Sequence, residues 1–383
     1  MKKLISAMLA AAMLTGLPGC SSGKEAISEM PSAAEVSSSE APQPKENKDC
    51  QSVLDRAAEE FGFEGVVYVS QNGEMLCSFA AGKMNAETDK EISVDSQFCI
   101  ASLSKQFTAC AIMLLKEQGK LGVEDTLDVY FPEYAIGRDI TVKDLLTMRS
   151  GIPDYYSLES NTTPEYGEEP EPLPFEVYAA ADDYNNQKAL TEWLFNQPLD
   201  FEPNTDFEYS NSNYLLLALI VEQVTGGDYR DFVRENIFEP LSMNDSGFID
   251  DVPDTSRLAE SVTQLGLAGC PGVMEGAGDI VSTAGDMDLW LSALRENRLI
   301  SADSYSEMIV NYSADNSMNY GYGLMPVDDG GIQHTGSIAS YRSFDYANPK
   351  TGYNYFAVTN NADALTDDIS SFSQRIINRT MSE

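Results

Sequence analysis

Ser102-Leu103-Ser104-Lys105 opens the stretch 102–118, in which Leu103, Phe107, Cys110, Ala111, Leu114 and Leu115 recur at helical spacing and Gly119 follows as a C-terminal cap. The pattern predicts a largely buried helix that begins at Ser102. Three residues apart, the Ser102 hydroxyl and the Lys105 amine share one face of that helix and lie within reach of each other. A serine hydroxyl is a poor nucleophile until a neighbour takes its proton, and a lysine can take it once burial or nearby cations lower its pKa. The helix amino end adds backbone N–H donors where negative charge would develop on a substrate. Alone the motif decides little. Residues 21–24 have the same spacing, and a serine at a helix start also serves as an N-cap.

Two further clusters change the balance. Tyr209-Ser210-Asn211 follows Phe201-Glu202-Pro203-Asn204 and precedes a helical pattern over 213–224, so a phenol and an amide stand on a loop entering a helix, and the phenol offers a second proton acceptor. His334-Thr335-Gly336-Ser337 ends a strand-like run, where Gly336 would let a substrate backbone approach the strand edge and the Ser337 N–H would point into the site. Each cluster has an ordinary explanation by itself, an aromatic at a helix entry and a strand end. Their order and spacing together do not.

Composition removes several classes of function. The chain holds one histidine, His334, so a metal site with two or more histidine ligands is impossible. The single G-x-S-x-G, at 19–23, lies in an export signal and cannot be a nucleophile elbow. A formal charge of -37 repels nucleic acid and anionic headgroups, and fits a protein kept soluble outside the cell.

S-x-x-K, Y-x-N and H-T-G in this order resemble the motifs of the penicillin-recognising serine hydrolases related to class C β-lactamases and D-alanyl-D-alanine carboxypeptidases. Framework segments at 145–153, 209–214, 237–241 and 276–286 look like that family too. The resemblance implies a β-lactamase/transpeptidase-like fold, with Ser102 forming an acyl-enzyme and Lys105 and Tyr209 sharing the proton transfers. It implies that Asn211 orients Lys105 and the substrate amide, and that the N–H groups of Ser102 and Ser337 form an oxyanion hole. His334, Thr335, Gly336 and Ser337 would line the rest of the pocket. No cofactor or metal is implied. Met148-Arg149, Asn204 and Ser340 depart from the usual family residues and affect local loops. His334 stands where true β-lactamases usually carry a lysine, and is mostly neutral near pH 7, which favours a peptidase or esterase over an efficient β-lactamase. Arg342 nearby could restore a positive charge. The expected reaction is hydrolysis of an amide or ester, such as a D-amino-acid peptide of the cell wall. The alternative is a non-catalytic or very slowly turning over lipoprotein that binds penicillin or wall fragments. A monomer is expected, with a β-lactam, D-amino-acid peptide or ester as its partner and no nucleic acid.

At the amino end, Lys2 and Lys3 precede an apolar run from 4 to 17 that closes on Leu17-Pro18-Gly19-Cys20, which reads as a lipoprotein signal over 1–19 with Cys20 lipidated. Residues 20–50 read as a flexible Ser-, Ala-, Glu-, Lys- and Pro-rich tether, and 51–383 as the hydrolase domain, placed outside the membrane by its Cys20 anchor. Five cysteines remain. An opening helix laid against the first hairpin would bring Cys50 to Cys77, one pairing among those that the sequence leaves open.

Strand-like runs at 66–70 and 75–80 flank Asn72-Gly73, and more follow at 321–325, 331–335, 341–346 and 353–359. Between them lie helical patterns at 142–148, 189–195, 213–224, 229–237 and 286–296, and a last helix carries Leu365, Ile369, Phe372 and Ile376 on one face. Strands at both ends with helices between predict a mixed α/β (α+β) fold. One antiparallel sheet from both chain ends is flanked by helices, an all-helical lobe stands beside it, and the active site lies in the cleft between them. The segment 154–183, with nine carboxylates and no Lys or Arg, is expected to be either a flap near that cleft or a solvated surface insertion.

Overall fold

Asn72 and Gly73 both take positive φ, 51° and 80°, giving a two-residue turn whose twist matches paired strands. They join β1 (Gly65–Gln71) to β2 (Glu74–Ala81). The computed structural model describes residues 48–381 except 86, 157–176, 178–186, 253, 263–272 and 315–318. Further along the chain come β3 (Phe98–Cys99), β4 (Gly247–Phe248), β5 (Ile280–Ser282), β6 (Met325–Pro326), β7 (Ile332–Ile338), β8 (Tyr341–Asn348) and β9 (Tyr353–Thr359). The helices used below are α1 (Lys48–Phe61), α2 (Ser104–Glu117), α3 (Val142–Leu146), α4 (Lys188–Leu194), α5 (Asn211–Thr225), α6 (Tyr229–Val233), α7 (Ala284–Arg295), α8 (Ala302–Met308) and α9 (Ile369–Thr380).

The two chain ends meet in one antiparallel sheet of order β2-β1-β9-β8-β7-β6. β9, at its centre, is buried at every position, as a strand covered on both faces must be. On one face α1 and α9 bury Leu54, Phe61, Phe372 and Ile376 against Val67, Val69 and Tyr355, with Phe63 stacked on Phe372 at 4.4 Å. A Cys50–Cys77 disulfide fastens α1 to β2. The other face receives α7, whose Trp290 stacks on Phe107 of α2 at 4.1 Å. α2 is buried on nearly every side and carries the chain from the sheet into the helical lobe, where it packs on α5, and α5 in turn packs on α3. An antiparallel sheet built from both chain ends and flanked by helices is thus observed, as expected.

Several details differ. Sheet does not return only near the carboxyl end: β3, β5 and β4 form a second, three-stranded sheet. Strands of two or three residues leave no alternation for a sequence to display. The 321–325 run contributes only Met325–Pro326, because Gly321 and Gly323 pack backbone to backbone against Met308 and Lys105. The helix expected to end at 237 leaves regular α geometry after Val233 and continues as a π turn over Arg234–Phe238. Cys99 and Cys110 are buried free thiols, while Cys20, Cys270 and most of the acidic segment lie outside the described residues.

Candidate active site

The chain does not enter α2 directly. Ile100 and Ala101 turn first, Ala101 with φ +49°, and a short 3-10 turn over Ala101–Leu103 holds Ser102 ahead of the helix. A left-handed alanine costs about 1–3 kcal/mol and persists only where its surroundings fix it. Here they do. Ser343 Oγ of β8 donates to Ile100 O (2.7 Å), Ser104 Oγ donates to Ala101 O (2.7 Å), and Ile280 N of β5 donates to Ser104 Oγ (3.1 Å). Neither this turn nor α2 has a side-chain cap, so the Ser102 hydroxyl is not spent on capping.

Lys105 is 0 % exposed. Its Nζ donates to Asn211 Oδ1 (2.8 Å) and to Ala277 O (2.7 Å), and lies 3.2 Å from Ser102 Oγ. Burial lowers its pKa to about 7, against the opposing pull of the Asp154 and Asp279 carboxylates. A neutral amine has two N–H bonds and one lone pair. With both N–H bonds directed at carbonyl oxygens, the lone pair is left for the Ser102 proton.

Tyr209 reaches the same place from the loop before α5. Its ring sits 4.9 Å from Lys105 Nζ, and its hydroxyl is buried and faces Ser102 without a hydrogen bond of regular geometry. Burial pushes the Tyr209 pKa up, with Asp154 adding to the rise and Ser102 opposing it, so the group stays a phenol. In that form it can give a proton to a leaving group, one half of the proton transfers that it is expected to share with Lys105. The loop owes its course to Met148, at φ +60°, whose carbonyl accepts from Glu208 N. Asn204 takes φ +62°, a conformation asparagine tolerates.

Asp154 was not among the expected site residues, yet it fixes Asn211 by accepting from its N (3.0 Å) and its Nδ2 (3.2 Å). In sequence it reads as the first carboxylate of the acidic segment. Its position directly after Gly151-Ile152-Pro153 was the available signal.

β7 runs past the Ser102 turn, and only its first residues, Ile332 and Gln333, pair with β6. Among the described residues no strand pairs with that edge beyond Gln333, so Thr335 and the exposed Ser337 stand at an open edge beside Ser102. Gly336 needs a different explanation from the expected one. A Cβ there would lie 2.2 Å from Ser343 Oγ and 2.5 Å from Ile100 O, so its missing side chain lets β7 close on the Ser102 turn; it does not make room for substrate. His334 is buried, 1 % exposed. Its Nδ1 lies 2.7 Å from Thr335 O and its Nε2 3.2 Å from Tyr320 Oη, contacts that suit a neutral ring protonated on Nδ1. Burial, with Lys105 nearby, lowers its pKa to about 3, so it adds no positive charge at neutral pH. The Arg342 guanidinium is tied to Ala339 O and Tyr341 O, both at 2.7 Å.

Known proteins share this arrangement of elements. A penicillin-binding protein of Bacillus subtilis (strain 168) is 28% identical over 77% of this chain and 67% of its own length. The teichoic acid D-alanine hydrolase of Staphylococcus aureus (strain MRSA252) is 25% identical over 71% of this chain and 65% of its own. The chain thus spans about two thirds of the length of these curated relatives. D-amino acid amidase from Ochrobactrum anthropi SV3, solved with L-phenylalanine amide, superposes with a TM-score of 0.70 at 22% identity, over 88% of this chain and 98% of that one. The family model described as Beta-lactamase matches residues 52–374. The chain belongs to the beta-lactamase family and has the serine β-lactamase/transpeptidase-like fold of its solved neighbours.

Proposed function

We propose that this protein is a serine hydrolase of the class C-like type that acylates Ser102 with an amide or ester, most suitably a D-amino-acid peptide or ester of the cell surface. The observation that carries the reading is Lys105, held by Asn211 Oδ1 and Ala277 O with its third direction toward Ser102 Oγ at 3.2 Å. Ser102 Oγ attacks the carbonyl as its proton passes to Lys105. The Tyr209 phenol gives a proton to the departing amine or alcohol, and water then releases the acyl group by the same path in reverse. The open edge at Thr335 and Ser337 suits an extended substrate laid alongside β7. The named activities of the relatives, removal of D-alanine from teichoic acid and cleavage of D-amino acid amides, support D-configured substrates. A neutral His334 leaves the pocket with less attraction for a substrate carboxylate than a lysine would.

The same proposal places the protein outside the cytoplasmic membrane, anchored by a lipid on Cys20. The Cys50–Cys77 disulfide, which suits an oxidising compartment, supports that location. The test of activity is hydrolysis of paired D- and L-alanyl esters and amides. Preference for the D form, lost in Ser102→Ala, is expected; equal rates in the variant would overturn the reading. Retained lipid labelling in Cys20→Ala would overturn the anchor.

A further inference from the structure

A second cluster of carboxylates lies away from Ser102, where α5 ends and α6 begins. Glu275 is 0 % exposed; its Oε2 accepts from Gln187 Nε2, and its Oε1 has no hydrogen-bond partner. Gln187, ahead of α4 and 4 % exposed, keeps its own Oε1 without a partner. Glu222, near the end of α5, and Asp228, just before α6, complete the group: carboxylate oxygens of Glu222, Asp228 and Glu275 all lie within 4.8 Å of one another. The cation close by, Arg230, pairs with Asp228 (3.3 Å) and Asp250 (3.6 Å). Two buried acceptors without donors, beside two further carboxylates, make an arrangement that needs a proton or a cation to balance it.

One cation would relieve it. Oxygens that share a Ca2+ sit about 2.3–2.6 Å from it, so no two are more than about 5.2 Å apart, a limit the three carboxylates meet. Three carboxylates and an amide oxygen suit Ca2+, whereas Mg2+ keeps several waters and takes only one or two carboxylates. A set of donors made only of oxygen selects a hard ion. Gln187, Glu222 and Asp228 also wall a cleft of 490 Å³, which gives the ion access from solvent. We propose that Glu222, Asp228, Glu275 and the Gln187 side-chain oxygen bind a single Ca2+.

The site would bear on the catalytic centre through the chain that follows Glu275. The Gly276 carbonyl accepts from Thr108 Oγ1 of α2 (2.6 Å), and the Ala277 carbonyl accepts from Lys105 Nζ. Calcium at Glu275 would thus fasten the α5–α6 junction to the segment that holds Lys105.

The test uses the full chain stripped with EDTA, then titrated with CaCl2 by calorimetry and followed by thermal melting. We expect one equivalent bound and a Tm rise of at least about 3 °C at 1 mM Ca2+, with a much smaller response to Mg2+. Glu275→Gln should abolish the response. Glu222→Gln, at the partly exposed rim, should fold as wild type and bind at least tenfold more weakly, so it decides the matter if Glu275→Gln does not fold. No calcium-dependent rise in the stripped wild type, an undiminished rise in Glu275→Gln or in Glu222→Gln, or an equal response to Mg2+ would each overturn the proposal. None of these readouts depends on the activity assigned to Ser102.

Discussion

Lys105 Nζ lies 3.2 Å from Ser102 Oγ, in a position where burial, acting against two carboxylates, brings its pKa to about 7. The ammonium cannot accept the serine proton and the amine can. Acylation should therefore rise about tenfold per pH unit below pH 7 and level off above it. Arginine stays protonated throughout this range, so Lys105→Arg should cost about 10²–10⁴-fold in acylation at every pH. A pH series of acylation rates checks both; a rate flat from pH 5 to 8 in the wild type would count against Lys105 as the base.

Asp154 acts on Lys105 by charge and through Asn211. Its carboxylate favours the ammonium, so Asp154→Asn should move the acidic limb of the pH profile to lower pH, because the lysine then loses its proton more readily. The hold on Asn211 weakens at the same time, and kcat at the plateau should fall about 10- to 100-fold. A fall in kcat with no movement of the limb would mean that Asp154 serves packing alone.

Gly336 is the residue on which the approach of β7 to the Ser102 turn depends. In Gly336→Ala the new methyl meets Ser343 Oγ and Ile100 O, so either β7 or the turn must move. We expect a stability loss of about 1–3 kcal/mol and a loss of activity larger than that stability change explains. Denaturant melts beside initial rates separate the two; an active Gly336→Ala would show that the turn tolerates displacement.

Much of this was legible in the sequence, and the exceptions have physical causes. The hairpin at Asn72-Gly73, the buried helix after Ser102, and the long strands β8 and β9 carry strong periodic or turn signals, and they appear close to where the pattern puts them. The small β3-β5-β4 sheet does not, since its strands are too short to alternate. Of the residues read as a site, Ser102, Lys105, Tyr209 and Asn211 come together around one amine. His334 and Gly336 face inward instead: β7 does not end at this motif but runs on to Ile338, and along it His334 and Gly336 alternate with the outward Thr335 and Ser337. Asp154 went unnoticed because a lone carboxylate at the head of an acidic run looks like solvated surface.

Behind the site, Asp345 pairs across the sheet with His334 and accepts from Gln106 Nε2 (2.6 Å), whose Oε1 accepts from Trp290 Nε1 (2.8 Å). Burial raises its pKa from 3.8 to about 7, against the pull of the Gln106 and His334 donors. The folded state thus holds this proton more tightly than the unfolded chain. The resulting stability is complete below pH 3.8 and is lost as pH rises to 7. Asp345→Asn has no such loss. Its stability should gain on that of the wild type as pH rises from 4 to 7, by on the order of 2–4 kcal/mol, and hold that gain above. Parallel melting curves at every pH would show that the Asp345 carboxyl is not perturbed.

The central claim is that Ser102 is the nucleophile. Its most direct test is a time course of intact mass at pH 8 for the wild type and Ser102→Ala, each incubated with a penicillin. A covalent adduct of the penicillin mass on the wild type, mapped to the peptide containing Ser102 and absent from the variant, is the predicted result. An adduct of equal occupancy on Ser102→Ala would contradict it.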